Sequence, residues 1–252
     1  MPRFFLSTAL HVGETVTLPG DVVRHLNVLR CRIGEEIVLF NGDGLSYHAV
    51  LNSLDKRAAE AEISSIKPSE NESPLHITLI QAVSSGERMD FTLQKSVELG
   101  VNEIILVESA RSVVKLSGER AEKRVSRWQE IVISACEQSG RNTVPAVRPL
   151  LPFRQALQNL PDAEAKLLMS LNRSCRLNSL PPPRSVVFMV GPEGGWTEER
   201  KNGSPRKQAS KPSASGGAYC APKPPHWPPS PRCKPCGAIF SFQAASCRFP
   251  LK

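Results

Sequence analysis

The chain has 252 residues, enough for about two domains, and its content of 40% hydrophobic and 22% charged residues excludes a fibrous or wholly disordered protein. The formal net charge of +8 would by itself favour a nucleic-acid or membrane partner. However, eight of the 32 basic residues lie in residues 202–252, which contain no acidic residue. Residues 1–201 therefore carry 24 basic and 24 acidic groups, so the body of the chain is neutral.

The tail of residues 202–252 also holds ten of the 22 prolines and four of the seven cysteines. This composition predicts a disordered segment, because too little apolar surface is available to offset the entropy of ordering. The other cysteines, Cys31, Cys136 and Cys175, are an odd number at scattered spacings, which favours reduced thiols and a cytoplasmic location. We expect no membrane span and no signal peptide.

The first 70 residues have the pattern of short strands and turns. Strands are predicted over residues 4–10, 15–18, 36–40 and 47–51. The sequence Asn41-Gly42-Asp43-Gly44 between the last two is a strong hairpin signal. We expect a small β-rich domain over residues 1–70, followed by a polar linker over residues 67–74.

Beyond the linker, strands alternate with helices, which predicts an α/β domain over residues 74–201. The predicted elements are a strand at 76–83, a helix at 87–99, a strand at 104–107, a helix at 119–138, and strands at 166–169 and 186–190. This order favours a parallel sheet with crossover helices. Ligands bind beyond the carboxyl ends of the strands in such sheets.

A glycine-rich segment, Gly191-Pro192-Glu193-Gly194-Gly195, directly follows the last predicted strand. Its glycines allow a backbone to approach a ligand closely, and its proline stiffens the turn. A plain tight turn is the alternative. The spacing is neither a dinucleotide-binding fingerprint nor a phosphate loop, so it does not argue for a nicotinamide or ATP.

The tail contains one possible metal motif, in which Cys233 and Cys236 are two residues apart and His226 lies nearby. A structural zinc site needs four ligands at suitable spacing. The remaining histidines show no paired spacing. We therefore expect no metal.

Several segments together resemble one family, the bacterial 16S rRNA (uracil-N3) methyltransferases of the ribosomal RNA small subunit methyltransferase E type, in the SPOUT superfamily. The matching segments lie in the family's order at residues 2–5, 25–34, 73–76, 94–101, 135–142 and 191–195. Each would be weak alone, but the ordered set is specific.

The resemblance implies a PUA-like β-barrel that helps to hold RNA, followed by a SPOUT domain with a deep trefoil knot, a rare exception to unknotted topology. It also implies a homodimer that uses S-adenosylmethionine to methylate N3 of a uridine in 16S rRNA of the small ribosomal subunit. By position, the cofactor loops are residues Leu168, Met169, Ser170 and Leu171, and Gly191, Pro192, Glu193, Gly194 and Gly195.

The methylation that the resemblance implies is an in-line displacement on a sulfonium methyl group, and it requires alignment and stabilisation of charge on the base. Candidates for holding phosphate or the base are six arginines, Arg3, Arg24, Arg30, Arg32, Arg88 and Arg141, although each could instead be a solvated side chain. Glu193 is assigned to shaping its loop, and no general base is identified.

The tail departs from the family, which continues past the glycine-rich loop with a segment Arg-Val-Leu-Arg-Thr-Glu-Thr-Ala. If the third base of each codon is joined to the first two of the next, Tyr219-Cys220 yields only Leu, His226-Trp227 only Leu and Trp227-Pro228 only Ala. The shifted frame permits the missing segment over residues 217–225. We therefore hypothesise a base inserted or deleted near codons 200–202, which makes residues 202–252 an out-of-frame tail.

Three functional hypotheses follow. The first is an rRNA uridine methyltransferase by ancestry, whose truncated SPOUT domain leaves this chain with little or no activity. The second is a non-catalytic RNA-binding remnant whose β-domain still binds. The third takes the basic tail as a genuine nucleic-acid-binding or zinc-binding extension.

Overall fold

The computed structural model describes residues 1–68, 71–109, 112, 116–169 and 182–192. These residues form two five-stranded sheets, one on each side of the linker that contains Asn71 and Glu72. The predicted knot lies in a part of the chain that includes residues outside these ranges. The tail at 202–252 and Cys175 also lie outside the described residues.

The first sheet has the strand order β1-β3-β4-β5-β2. Its strands are β1 (Arg3–Phe5), β2 (Thr15–Thr17), β3 (Glu36–Phe40), β4 (Leu45–Leu54) and β5 (Ala59–Pro68). The β1 strand is parallel to β3, and the other pairs are antiparallel. The predicted β-rich amino-terminal unit is therefore confirmed.

The predicted hairpin turn joins β3 to β4. The side chain of Asn41 accepts a hydrogen bond from the backbone N–H of Asp43 (3.1 Å), and the Asp43 side chain accepts one from the N–H of Leu45 (2.8 Å). Gly42 and Gly44 have φ values of 96° and 90°, which L side chains rarely adopt. The tight turn thus depends on the glycines that the sequence places there.

Three features of this unit differ from the sequence-based expectation. The strand predicted over residues 4–10 ends at Phe5. No strand was predicted over Ala59–Pro68, where β5 lies and reaches into the segment predicted to be a linker. A helix, α1 (Gly20–Leu29), was not predicted. The helical signal is short, because only Val22, Val23 and Leu26 are buried and polar residues interrupt them.

The second sheet is wholly parallel, with the order β8-β7-β6-β10-β9. Its elements are β6 (His76–Ala82), α2 (Gly86–Glu98), β7 (Glu103–Glu108), α3 (Gly118–Ser139), β8 (Ala146–Pro152), α4 (Phe153–Gln158), β9 (Ala165–Leu168) and β10 (Ser185–Val190). The predicted parallel α/β arrangement is confirmed. The sequence analysis missed β8 and α4.

Alternate residues of β6 face two different helical layers. Leu79 and Val83 pack with α2 and α3, where Leu93 and Trp128 are fully buried. Ile80 and Ala82 pack on the other face, in a core that includes Phe153 of α4. This strand is buried on both faces, which explains its nearly continuous apolar sequence.

The carboxyl end of α3 is tied to the linker by Arg141, whose side chain is 4% exposed. Its guanidinium donates to both carboxylate oxygens of Glu72, at 2.7 Å for the closest pair. It also donates to the backbone oxygens of Val97 (3.0 Å) and Val101 (2.7 Å), at the end of α2. One buried cation therefore fixes the linker, α2 and α3 together.

The neighbouring residue, Asn142, joins the two sheets. Its side-chain oxygen accepts a hydrogen bond from Arg3 of β1, and its Nδ2 donates to the hydroxyl of Ser46 on β4 (2.7 Å). Arg3 also donates to the backbone oxygen of Gly140 (3.2 Å). Asn142 is fully buried, so these bonds satisfy an amide that would otherwise be costly to bury.

We expect Glu72→Gln to lower the free energy of unfolding by about 2 kcal/mol, because it removes the charge that compensates the buried Arg141 guanidinium. The matched control is Glu119→Gln, which breaks an ion pair whose side chains are 76% and 77% exposed and which should change stability by less than about 0.5 kcal/mol. Urea unfolding at neutral pH measures both. Equal losses in the two variants would contradict the role given to Arg141.

Cys136 is buried in α3, and burial raises the pKa of its thiol to about 12. Because the thiolate is the reactive form, we expect Cys136 to resist N-ethylmaleimide at pH 7.5 in the folded protein. Burial also raises the pKa of the Cys31 thiol, but Cys31 is only partly buried. We therefore expect Cys31 to be labelled before Cys136. Peptide mapping by mass spectrometry measures both sites, and rapid labelling of Cys136 before unfolding would refute this expectation.

Candidate functional site

The two predicted ligand loops leave the parallel sheet at the same edge. Strands β9 and β10 are neighbours, and Leu168 is in register with Met189. The pairing extends one residue further, because the N–H of Met169 donates to the backbone oxygen of Met189 (2.9 Å). The segments beginning at Met169 and Gly191 therefore start side by side, at the carboxyl ends of adjacent strands.

The predicted cofactor residues differ in what they offer to a ligand. The Leu168 side chain is 3% exposed and belongs to the core that contains Phe153, so only its backbone is available to a ligand. Pro192 is buried, and Gly191 is partly buried. The other predicted cofactor residues lie outside the described part of the chain: Ser170, Leu171, Glu193, Gly194 and Gly195.

The structure places a further polar residue, Gln81, at this edge of the sheet, and Gln81 was not predicted to be a site residue. Gln81 lies in β6 directly opposite Val190, the residue before Gly191, and is 2% exposed. Its Nε2 donates to the backbone oxygen of Ala82 (2.8 Å), while its Oε1 has no hydrogen-bond partner among the described residues. The available sequence signal was an amide between the apolar residues Ile80 and Ala82 of this strand.

Three of the predicted RNA-binding arginines lie in α1 or directly after it. Arg24, Arg30 and Arg32 are all exposed. Three exposed apolar residues lie among them, Val28, Leu29 and Ile33, with relative exposures of 78%, 48% and 63%. We call these six residues the α1 surface. Arg30 has a φ of 59°, a left-handed conformation that is costly for a residue with a side chain.

The other three arginines have different environments. Arg88 is exposed in the first turn of α2. Arg3 is half-buried, and burial lowers the pKa of its guanidinium. Arg141 donates to Glu72 and to two backbone oxygens, so its position at the domain junction argues against direct RNA contact. Nothing in the sequence distinguishes Arg141, a buried arginine that follows a helix, from an arginine exposed to solvent.

The described residues contain no group of three or more histidine, cysteine or acidic side chains placed to hold a metal ion. The Cys233, Cys236 and His226 motif lies outside them. Within the same ranges, no helix has the length and apolar character needed to cross a bilayer.

Comparison with protein families gives two matches. Residues 71–209 match the RNA methyltransferase domain, and residues 18–64 match the RNA methyltransferase PUA domain. These segments contain, respectively, all of the described parallel sheet and the central strands of the first sheet.

Individual relatives agree with the family matches. Ribosomal RNA small subunit methyltransferase E of Bacillus subtilis is 31% identical, over 79% of this chain and 82% of that protein. The corresponding Buchnera aphidicola enzyme (Schizaphis graminum) is 29% identical, over 78% and 81%. The crystal structure of the Neisseria gonorrhoeae enzyme, bound to S-adenosyl methionine, is 60% identical with a TM-score of 0.76, over 80% of this chain and 84% of that one. The chain therefore belongs to the ribosomal RNA small subunit methyltransferase E family of RNA methyltransferases.

Proposed function

We propose that this chain derives from an enzyme that transfers the methyl group of S-adenosylmethionine to N3 of a uridine in 16S rRNA of the small ribosomal subunit. The observation that carries this proposal is the 60% identity to the Neisseria gonorrhoeae enzyme, whose structure holds S-adenosyl methionine. The rRNA substrate is supported by the family, and the N3 position by the ordered motifs of the sequence. We also propose that this enzyme is a homodimer in the cytoplasm.

The described residues at the sheet edge fit such a cofactor. The backbones of Leu168 and Gly191 begin adjacent loops, and the buried Oε1 of Gln81 provides an acceptor beside them. Bound there, the cofactor supplies an electrophilic sulfonium methyl group. The residues at this edge would hold the cofactor so that uracil N3 can be aligned with its methyl carbon, and the N3 proton must also be lost.

We divide the chain by role as residues 1–70 for holding RNA, 74–201 for the methyltransferase and 202–252 for the out-of-frame tail. The matches to whole relatives extend over 78% to 80% of this chain, which is consistent with a tail foreign to the family. Without the final family segment, the pocket lacks one wall and the dimer lacks part of its surface. Little or no methyl transfer is then expected from the chain as written.

A non-catalytic RNA-binding role is the second candidate. The α1 surface favours it, because its exposed arginines and apolar residues belong to the first sheet's unit and do not require a complete cofactor site. Methylation of small-subunit rRNA in cells that carry only this gene would separate the two candidates, since a remnant leaves the uridine unmodified.

Isothermal titration of this chain with S-adenosylmethionine should show no micromolar binding, because one wall of the pocket is missing. A matched chain, translated in the frame that restores Arg-Val-Leu-Arg-Thr-Glu-Thr-Ala, should bind. Resequencing the gene across codons 198–203 decides whether that frame is the natural one. Micromolar binding by the chain as written would refute the proposed loss, and failure of both chains would argue against the cofactor assignment.

Replacing Arg24, Arg30 and Arg32 together by Gln should weaken binding to a small-subunit rRNA fragment. The slope of log affinity against log salt should fall by about 2 to 3, since each phosphate contact contributes about 0.7 to 0.9. Replacing the exposed Arg120 and Arg127 of α3 and Arg154 of α4 by Gln provides a control with the same charge change. An equal effect in both triple variants would show that only net charge matters.

A further inference from the structure

An open groove of about 430 Å³ lies between the two sheets, away from the edge at Gly191. It is lined by residues from both units and the linker: Arg3, Ser46, His48, Lys67, Pro68, Asn71 and Gly140. Its volume is within the usual range of small-ligand sites. Neither the cofactor site nor the α1 surface uses it.

The register of the first sheet places basic side chains on the face that borders the groove. Arg3 is in register with Val38, and Val38 with His48, so these three residues form one row across β1, β3 and β4. Lys67 on β5 lies directly opposite Ser46 on β4. Directly opposed residues share a face of the sheet, so Arg3, His48 and Lys67 project from the same side.

The opposite face of these strands is already occupied. Phe4, Ile37, Leu39, Tyr47 and Ala49 alternate with the groove-side residues and form the core of the first unit. Further along the groove-side face, Phe5 and Phe40 pack against the α/β core. The basic side chains of this face therefore border the contact between the two units, and Arg3 takes part in it.

Among the described residues, the basic side chains of the groove have no acidic partner. No aspartate or glutamate is among its described lining residues, and neither Arg3 nor Lys67 has an ion-pair partner in the described part of the chain. By contrast, Arg127 is paired with Asp90 and Arg148 with Glu103, in a body with no net charge. Positive charge left unpaired in a concave surface attracts anions.

The carboxyl end of α3 does not repel an anion in the groove. A helix carboxyl end carries partial negative charge, but the Gly140 backbone oxygen already accepts hydrogen bonds from Arg3 (3.2 Å) and Asn71 (3.3 Å). Arg3 is held in place by Asn142 and lies 5.5 Å from the centre of the Phe40 ring. Its charge is thus fixed in a half-buried position, where screening is weaker than in open solvent.

From this geometry we propose that the groove binds the phosphodiester backbone of the substrate RNA, with Lys67, His48 and Arg3 facing the phosphates. This inference rests on the proposed function, because an RNA substrate is the polyanion that this family acts on. The groove adds a contact at the junction of the two units, separate from the α1 surface. RNA bound there would span the first sheet and the end of α3.

The test measures binding of the full chain to a fluorescein-labelled small-subunit rRNA fragment, by anisotropy between 0.1 and 1 M salt. Lys67→Gln should reduce the slope of log affinity against log salt by about 0.7 to 0.9. If the two proteins bind equally at 1 M salt, the variant then binds about five- to eightfold more weakly than the unmodified chain at 0.1 M salt. Lys67 is exposed, so the fold should persist, and thermal unfolding followed by circular dichroism checks this. The double variant with His48→Gln should bind more weakly still.

The matched control is Lys123→Gln, which removes an exposed lysine, 76% exposed, from α3 outside the groove and should leave the slope nearly unchanged. If Lys67→Gln binds with the same affinity and slope as the control, the groove proposal is wrong and the RNA function stands. If the unmodified chain does not bind the fragment, both fail. Polyglutamate that competes as well as RNA of equal charge would overturn the assignment to RNA in favour of an acidic protein.

Discussion

The buried guanidinium of Arg141 holds three segments of this molecule together. It follows the end of α3, and its partners come from the linker and from the end of α2. A buried cation is tolerated only when it is paired and hydrogen-bonded, so these segments hold a common position. The adjacent Asn142 extends the constraint to β1 and β4.

This junction gives the molecule two separate surfaces. On one side, the parallel sheet presents the carboxyl ends of β9 and β10, where we propose that the cofactor binds. On the other, the first sheet presents basic side chains around a groove that both units line. The relative position of the two units is therefore as relevant to recognition as either unit alone, because Arg3 both holds the junction and contributes charge to the groove.

Strong local signals predicted most of the elements correctly. The hairpin at Asn41 depends on glycine conformation. The helix α2 carries the apolar series Met89, Leu93 and Val97 and ends two residues before Gly100, so neighbouring residues determine both elements. Elements with weak local signals, such as α1 and α4, were missed, and so was β5, although its buried and exposed residues alternate. The ten-residue α1 is stabilised by burial against the first sheet's core, and the short α4 by packing of Phe153 and Ala156 under the parallel sheet.

The sequence by itself determined the neutral body with its basic tail, the two-unit organisation, the parallel α/β class, the family and the loop at Gly191, because composition, periodicity and ordered motifs are local properties. Only the tertiary structure decided which arginines are available. Arg141 and Arg32 are equally polar in the sequence, yet one is buried in an internal network and the other is exposed. The tertiary structure also places Lys67 opposite Ser46 and Gln81 beside Val190. Strand register determines these neighbours, and register depends on pairing between residues that are distant in the sequence.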